Sequence, residues 1–222
     1  MPRCHAHRGM IDSMPTPLSW PNCRNTRDLG GLVRSDNLDQ LTAAGLAALD
    51  AYGITRIVDV RDVWEIETFP SPYRADPRWL NIPLNDPADP AIGSDDLLIQ
   101  YQALVNNYPH RFARAIAAIA EAPPGPVLVA CHAGRDRTGL VIALTLAAIG
   151  VPTEVIVQDY VTAPAEWEHD QPQASTMRAI LADLDVPAYL LAAGLTLEHL
   201  AALKNRLSVE PTHQPPPAPD AH

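Results

Sequence analysis

The chain has 222 residues, 47% of them hydrophobic, and a formal net charge of −10 from 26 acidic and 16 basic side chains. That length suits one well-packed domain, and the acidic balance excludes general affinity for nucleic acid or an anionic membrane, since both need clustered Lys and Arg. Three cysteines make no disulfide scaffold, no apolar run is long enough to span a bilayer, and the start of the chain lacks an apolar signal core, so a cytoplasmic protein without stable membrane association is expected.

Residues 1–21 mix His, Arg, Pro and Met without a hydrophobic period and are expected to be mobile, with His5 and His7 read as tail rather than as a metal pair. Residues 22–207 are expected to form the domain. Asn25-Thr26-Arg27-Asp28-Leu29-Gly30-Gly31 ends in a tight turn. There Arg27 and Asp28 either tie the turn to a neighbour or stand at the mouth of a site. Thr42 as N-cap, Leu41 with Leu46 as a hydrophobic staple and Gly53 as C-cap predict a helix over 43–52. A buried parallel strand follows over 54–60, closing on Arg61 and Asp62 with Glu65 beyond; Arg61 is expected to pair with Glu65 or to brace a site. A second strand covers 79–84, ahead of the proline-rich loop Asn85-Asp86-Pro87-Ala88-Asp89-Pro90. Helices are predicted over 95–106 and 111–121, the second with Phe112, Ile116 and Ile119 on its sheet-facing side. Next come a strand over 126–130 and an apolar helix over 140–149 that Gly150 and Pro152 end. Thr153 caps a further helix, in which Asp159-Tyr160 reads as packing. Helices over 171–184, 187–193 and 196–207 complete the fold, the last with the core stripe Leu200, Leu203 and Leu207. Residues 208–222, rich in proline, read as a disordered tail.

The chemistry concentrates in Cys131-His132-Ala133-Gly134-Arg135-Asp136-Arg137-Thr138-Gly139. A strand-to-helix connection aims successive backbone N–H groups and the positive end of the helix dipole into one concavity, which suits a tetrahedral anion. Gly134 can take the positive φ such a turn needs, and Gly139 permits close approach of the backbone. Cys131 and Arg137 bracket the loop as a nucleophile and a guanidinium fork able to hold two phosphate oxygens at once. The helix N-terminus and the nearby arginines favour the thiolate, and the Thr138 hydroxyl is expected to hydrogen-bond the sulfur. The expected reaction is attack of the thiolate on phosphorus, then hydrolysis by water, with no metal or cofactor.

This loop resembles the C-x5-R-[ST] signature of the cysteine-dependent protein tyrosine phosphatase superfamily, and Gly134 to Gly139 is similar to the bacterial form H-C-x-A-G-K-D-R-T-G. Residues Asn25 to Gly31 are similar to the N-F-R-D-L-G-G signature of the same bacterial branch. Three positions depart: Ala130 replaces the usual histidine, Arg135 a lysine and Thr26 a phenylalanine. The resemblance implies a single α/β domain, a short, largely parallel sheet flanked by helices. It also implies a phosphate cradle from His132, Ala133, Gly134, Arg135, Asp136 and Arg137. Two aspartates compete for the role of acid to the leaving group: Asp136 inside the loop and Asp86 in the earlier one, with Asp89 as a third. Phosphotyrosine is the favoured substrate, while Arg135 at the rim also admits phosphoserine or phosphoinositides. A rhodanese-type sulfur-transfer loop is a rival, but its arginine comes one residue earlier, where this chain has Asp136. A phosphate-binding module without turnover is another rival, because of Ala130. Redox control of Cys131 by Cys4 or Cys23 is a third.

Overall fold

The computed structural model describes residues 15–86, 88–89, 96–162 and 173–207. Three short strands organise them, β3 (Leu32–Ser35), β4 (Arg56–Asp59) and β6 (Val127–Ala130). Successive side chains of a strand point to opposite faces. Accordingly Leu32, Val58, Val127 and Val129 enter one core, and Val33, Ile57 and Leu128 enter another. Near-continuous apolar strands are what a parallel sheet covered on both faces requires.

The sheet order is β1-β2-β3-β6-β4-β5. β3, β6, β4 and β5 (Trp79–Asn81) run parallel, and β1 (Thr16–Pro17) and β2 (Arg27–Asp28) add an antiparallel edge. β6, late in the chain, thus lies between two earlier strands, with Ala130 beside Ser35 and Asp59. The crevice beyond the carboxyl ends of such strands, where the order reverses, is where sheets of this kind gather their sites.

On one face α1 (Ala43–Tyr52) packs with Trp20, Leu41 and Ile54. Thr42 caps it by accepting the Gly45 N–H at 3.1 Å, and Gly53 at φ +79° ends it. The other face carries α3 (Leu97–Asn107), α4 (Pro109–Ala120), α5 (Asp136–Ala148), α6 (Thr153–Val161), α7 (Ala174–Ala182), α8 (Val186–Ala192) and α9 (Leu197–Leu207). α5 is buried on all sides from Thr138 to Leu146, and a helix apolar all round belongs inside a layer. It begins at Asp136, within the loop, rather than at 140 as predicted.

Several elements escaped prediction, among them β1, β2, β3 and α2 (Val63–Thr68). β3 contains the buried polar residues Arg34 and Ser35, which break an apolar pattern. α2 is a short helix started by a capping box between Asp62 and Glu65. Order also begins ahead of residue 22, contrary to the expectation of a mobile segment through 21. β1 pairs with β2, and Trp20, 4% exposed, meets the Tyr52 ring edge-on at 5.8 Å; a lone tryptophan has no period to read. The expectations for 1–14, 87, 90–95, 163–172 and 208–222, including His5, His7, Cys4 and the proline-rich tail, lie outside the described residues. Among the described residues no helix is long and apolar enough to cross a membrane.

If the chain ahead of residue 22 belongs to the cooperative fold, Trp20→Ala lowers the unfolding free energy by about 3–5 kcal/mol in urea titration. An unchanged midpoint would detach that segment from the domain.

Candidate active site

β6 ends at Ala130 and hands Cys131, 2% exposed, to the loop. The back of the loop rests on the end of β3. Gly134 has φ +63°, and a Cβ there would fall 2.4 Å from the Ser35 carbonyl oxygen, so glycine is required by backbone and by space alike. The Asn37 N–H donates to the His132 carbonyl at 3.1 Å. At Gly139 a Cβ would come 3.1 Å from the Tyr160 ring, so the first turn of α5 lies directly on α6.

Arg137 follows in that first turn. Its Nη2 donates to Glu65 Oε1 at 2.8 Å, its Nη1 to Glu65 Oε2 and, at 3.4 Å, to Asp62 Oδ1. Glu65 is itself held by the Asp62 N–H at 2.8 Å, so the unpredicted start of α2 aims the guanidinium. Among the described residues these bonds take the end of the fork, which leaves its Nε–H side for a second anion. Burial opposes the charge on Arg137, but the Glu65 hydrogen bonds and the charges of Cys131, Glu65 and Asp62 outweigh it and raise its pKa. Burial likewise opposes ionisation of Glu65, and Arg137 outweighs it and holds the carboxyl below its usual range. At Asp62 burial wins over Arg137, helped by Glu65, and pushes the carboxyl up to about 6. The expected Arg61–Glu65 pair is not formed. Arg61, 1% exposed, instead binds Asp59 at 2.8 Å, Asp39 at 3.3 Å and the Phe69 carbonyl at 3.0 Å.

A cavity of about 430 Å³ opens beside the loop, lined by Trp64, Glu65, Asn85, Arg135, Asp136 and Arg137 among others. Asp136 accepts the Tyr101 hydroxyl and, at 3.1 Å, the Arg135 Nε–H, and Tyr101 meets the Tyr160 hydroxyl at 3.0 Å. Asp86 is exposed, its carboxylate accepting the Ala88 N–H at 2.9 Å, and its neighbour Asn85 lines the cavity in its place. Asp89 is bound to Arg111. The hydrogen bond expected from Thr138 to the sulfur is not made: Oγ1 is buried and has no partner among the described residues. His132 is exposed, its ring 6.0 Å from that of Phe69; beyond it lies a second cavity of about 300 Å³. Cys23 donates to Asp36 Oδ1 at 2.9 Å, and burial with the Asp36 charge pushes its thiol up to about 12, which makes it a poor resolving nucleophile.

Sequence reasoning missed Asp62 and Glu65 as partners of Arg137, although their D-x-x-E spacing is a readable capping box. Asp159 and Tyr160, read as packing, serve the loop instead. Asp159 binds Arg27 and Arg34, and Tyr160 reaches Asp136 through Tyr101.

A model of the tyrosine phosphatase family matches residues 18–211. The triple specificity protein phosphatase PtpB of Mycobacterium tuberculosis is 31% identical over 184 residues, 65% of this chain and 66% of that protein. A tyrosine-protein phosphatase of Nostoc commune is 30% identical over 168 residues, 72% of this chain and 57% of that protein. The matched stretch therefore spans between 57% and 66% of these relatives' length. The crystal structure of P. aeruginosa TpbA superposes with a TM-score of 0.51 at 19% identity, covering 82% of this chain and 97% of that one, a likeness of fold. A cysteine-to-serine form of TpbA, also at 0.51, was crystallised with phosphotyrosine.

Asp62 faces Arg137, Glu65 and Trp64, with Asp86 close enough to add its charge. Protonated below about 6, it leaves Arg137 to an incoming anion; ionised above, it competes for the guanidinium. Sulfate, a dianion throughout, is therefore predicted to bind more weakly as pH rises through that value, and Asp62→Asn to remove this part of the profile. Identical wild-type and variant profiles in competition titrations would place Asp62 outside the field of the anion.

Proposed function

The chain belongs to the tyrosine phosphatase family, and from that premise we propose that it hydrolyses phosphate monoesters through a cysteinyl-phosphate on Cys131, without a metal. The observation that supports this reading is the grip of Glu65 on the end of the Arg137 fork, which leaves the Nε–H side to hold a substrate phosphate, with Arg137 near enough to Cys131 to feel its charge. In the first step the Cys131 thiolate attacks phosphorus and the bond to the leaving oxygen breaks. Asp136, at the cavity, gives that oxygen its proton. Water then attacks phosphorus, returns a proton to Asp136 and displaces the thiolate with release of inorganic phosphate. Amides from His132 to Arg137 cradle the oxygens, and Arg137 takes the charge that develops on them.

Phosphotyrosine proteins are the proposed substrates. Trp64, 52% exposed on the cavity wall, offers a flat apolar face to an aromatic leaving group. The phosphotyrosine bound by the related fold of TpbA supports the same choice. A reducing cytoplasm would keep Cys131 a thiol, in agreement with the acidic, non-membrane character of the chain.

The test is hydrolysis of para-nitrophenyl phosphate in excess chelator. The wild type should turn over, Cys131→Ser should not, and Arg137→Lys should lose about 10²–10³-fold in kcat. Phosphotyrosine peptides should be cleaved well ahead of phosphoserine peptides at equal concentration. Wild-type turnover that needs added metal, or persists in Cys131→Ser, would sink the mechanism. Orthovanadate binding without turnover would make the loop a recognition site.

A further inference from the structure

A peptide unit is planar and trans, so a carbonyl held on one side of the chain sets the next N–H on the other. For the amides of Gly134 and Arg135 to face a phosphate, the carbonyls of Ala133 and Gly134 must find donors behind the loop; that of Arg135 already accepts the Gly139 N–H at 2.8 Å. Leaving one buried without a partner costs about 1–3 kcal/mol. Two side chains supply those donors. Asn25 Nδ2 donates to the Gly134 carbonyl at 2.8 Å and to that of Ala133 at 3.3 Å. Arg34 Nη2 donates to Gly134 at 2.6 Å and, more weakly, to Arg135 at 3.4 Å.

Both donors are themselves fixed. Asn25 sits at φ +48°, a left-handed backbone that asparagine tolerates, and its Oδ1 accepts Arg27 Nη1 at 2.5 Å, which turns its NH₂ towards the loop. Arg27 then binds Asp159 through Nε at 2.6 Å and the Asp159 carbonyl through Nη2 at 2.6 Å. Arg34 Nη1 takes the other oxygen of the same carboxylate at 2.5 Å. All four residues are buried. The bonds form a continuous chain from α6 through β2 and β3 to the carbonyls of Ala133 and Gly134.

We propose that Asn25, Arg34 and Asp159 are positioning residues for anion binding, which set the orientation of the loop peptides and through it the affinity of the cradle. This rests on the reading of the loop as a phosphate site. Two physical rivals exist. The cluster carries two guanidinium groups on one carboxylate, so its net positive charge alone could favour an anion. Alternatively, it contributes to stability alone.

Orthovanadate affinity of the full-length protein, measured by competition well below each variant's unfolding midpoint, separates the three. Asp159→Asn removes a negative charge, so a pure field effect tightens binding, whereas lost positioning weakens it. Arg34→Lys keeps the charge and loses the fork, so a field effect leaves binding unchanged and lost positioning weakens it. We expect both variants to bind about tenfold more weakly or worse. Tighter binding in Asp159→Asn, or wild-type affinity in folded Arg34→Lys, overturns the proposal. Arg34→Lys, the milder change, decides alone if Asp159→Asn does not fold. A wild type that binds no orthovanadate would remove the phosphate site itself, a failure distinct from either.

Discussion

Asp159 shares its carboxylate between two buried guanidinium groups, Arg27 and Arg34, and the site depends on that contact. Removing one partner from a buried ion pair costs about 3–5 kcal/mol, because the charge left behind has no water to turn to. Here Arg27 and Arg34 stand opposite one another on the paired strands β2 and β3, and Asp159 reaches both from α6, far along the chain. Joining them fixes the back of the loop against the end of β3, where Gly134 already sits too close to Ser35 for any side chain. On the opposite flank the start of α2 does the same for Arg137 through Glu65. The loop is thus held on two sides by groups that do not belong to it, with Arg135, Asp136 and Arg137 lining the cavity.

The organisation also explains how the departures from the family pattern are accommodated. Ala130, where histidine is usual, is the last residue of the central strand, 2% exposed and flanked in register by Ser35 and Asp59. Its surroundings are other strands rather than the cavity, so the environment of Cys131 is built by the loop backbone and Arg137. Thr26, where phenylalanine is usual, hydrogen-bonds Ser35 at 3.0 Å beside Cys23 and Asp36. A polar cluster there replaces apolar packing.

Much of this was legible in the sequence. The strand, loop and helix around Cys131, the cap and staple of α1, the turn at Gly30-Gly31 and the two-sided parallel sheet follow from periodicity, glycine placement and the two motifs. What was hidden shares one cause: charged residues that are buried. Arg34 and Ser35 interrupt the apolar pattern of β3, so the strand went unseen, and Asp159 with Tyr160 read as packing. Arg34 and Asp159 are 125 residues apart, and Asn25 and Gly134 are 109 apart, separations across which pattern gives no pairing. Arg61 illustrates the converse error. The nearest carboxylate on the following helix was the plausible partner, yet Glu65 turns to Arg137 and Arg61 folds back on Asp59.

The chemistry proposed for this site is covalent and centred on Cys131. The most direct test is to quench turnover of para-nitrophenyl phosphate, whose nitrophenolate leaves without needing a proton, in acid within the first cycle and to locate the phosphoryl group by peptide mass spectrometry, using Asp136→Asn to slow hydrolysis of the intermediate. Phosphate is expected on the peptide that contains Cys131, in higher yield in Asp136→Asn. Phosphate on another residue, or steady turnover with no phosphoenzyme in either protein, would contradict that chemistry.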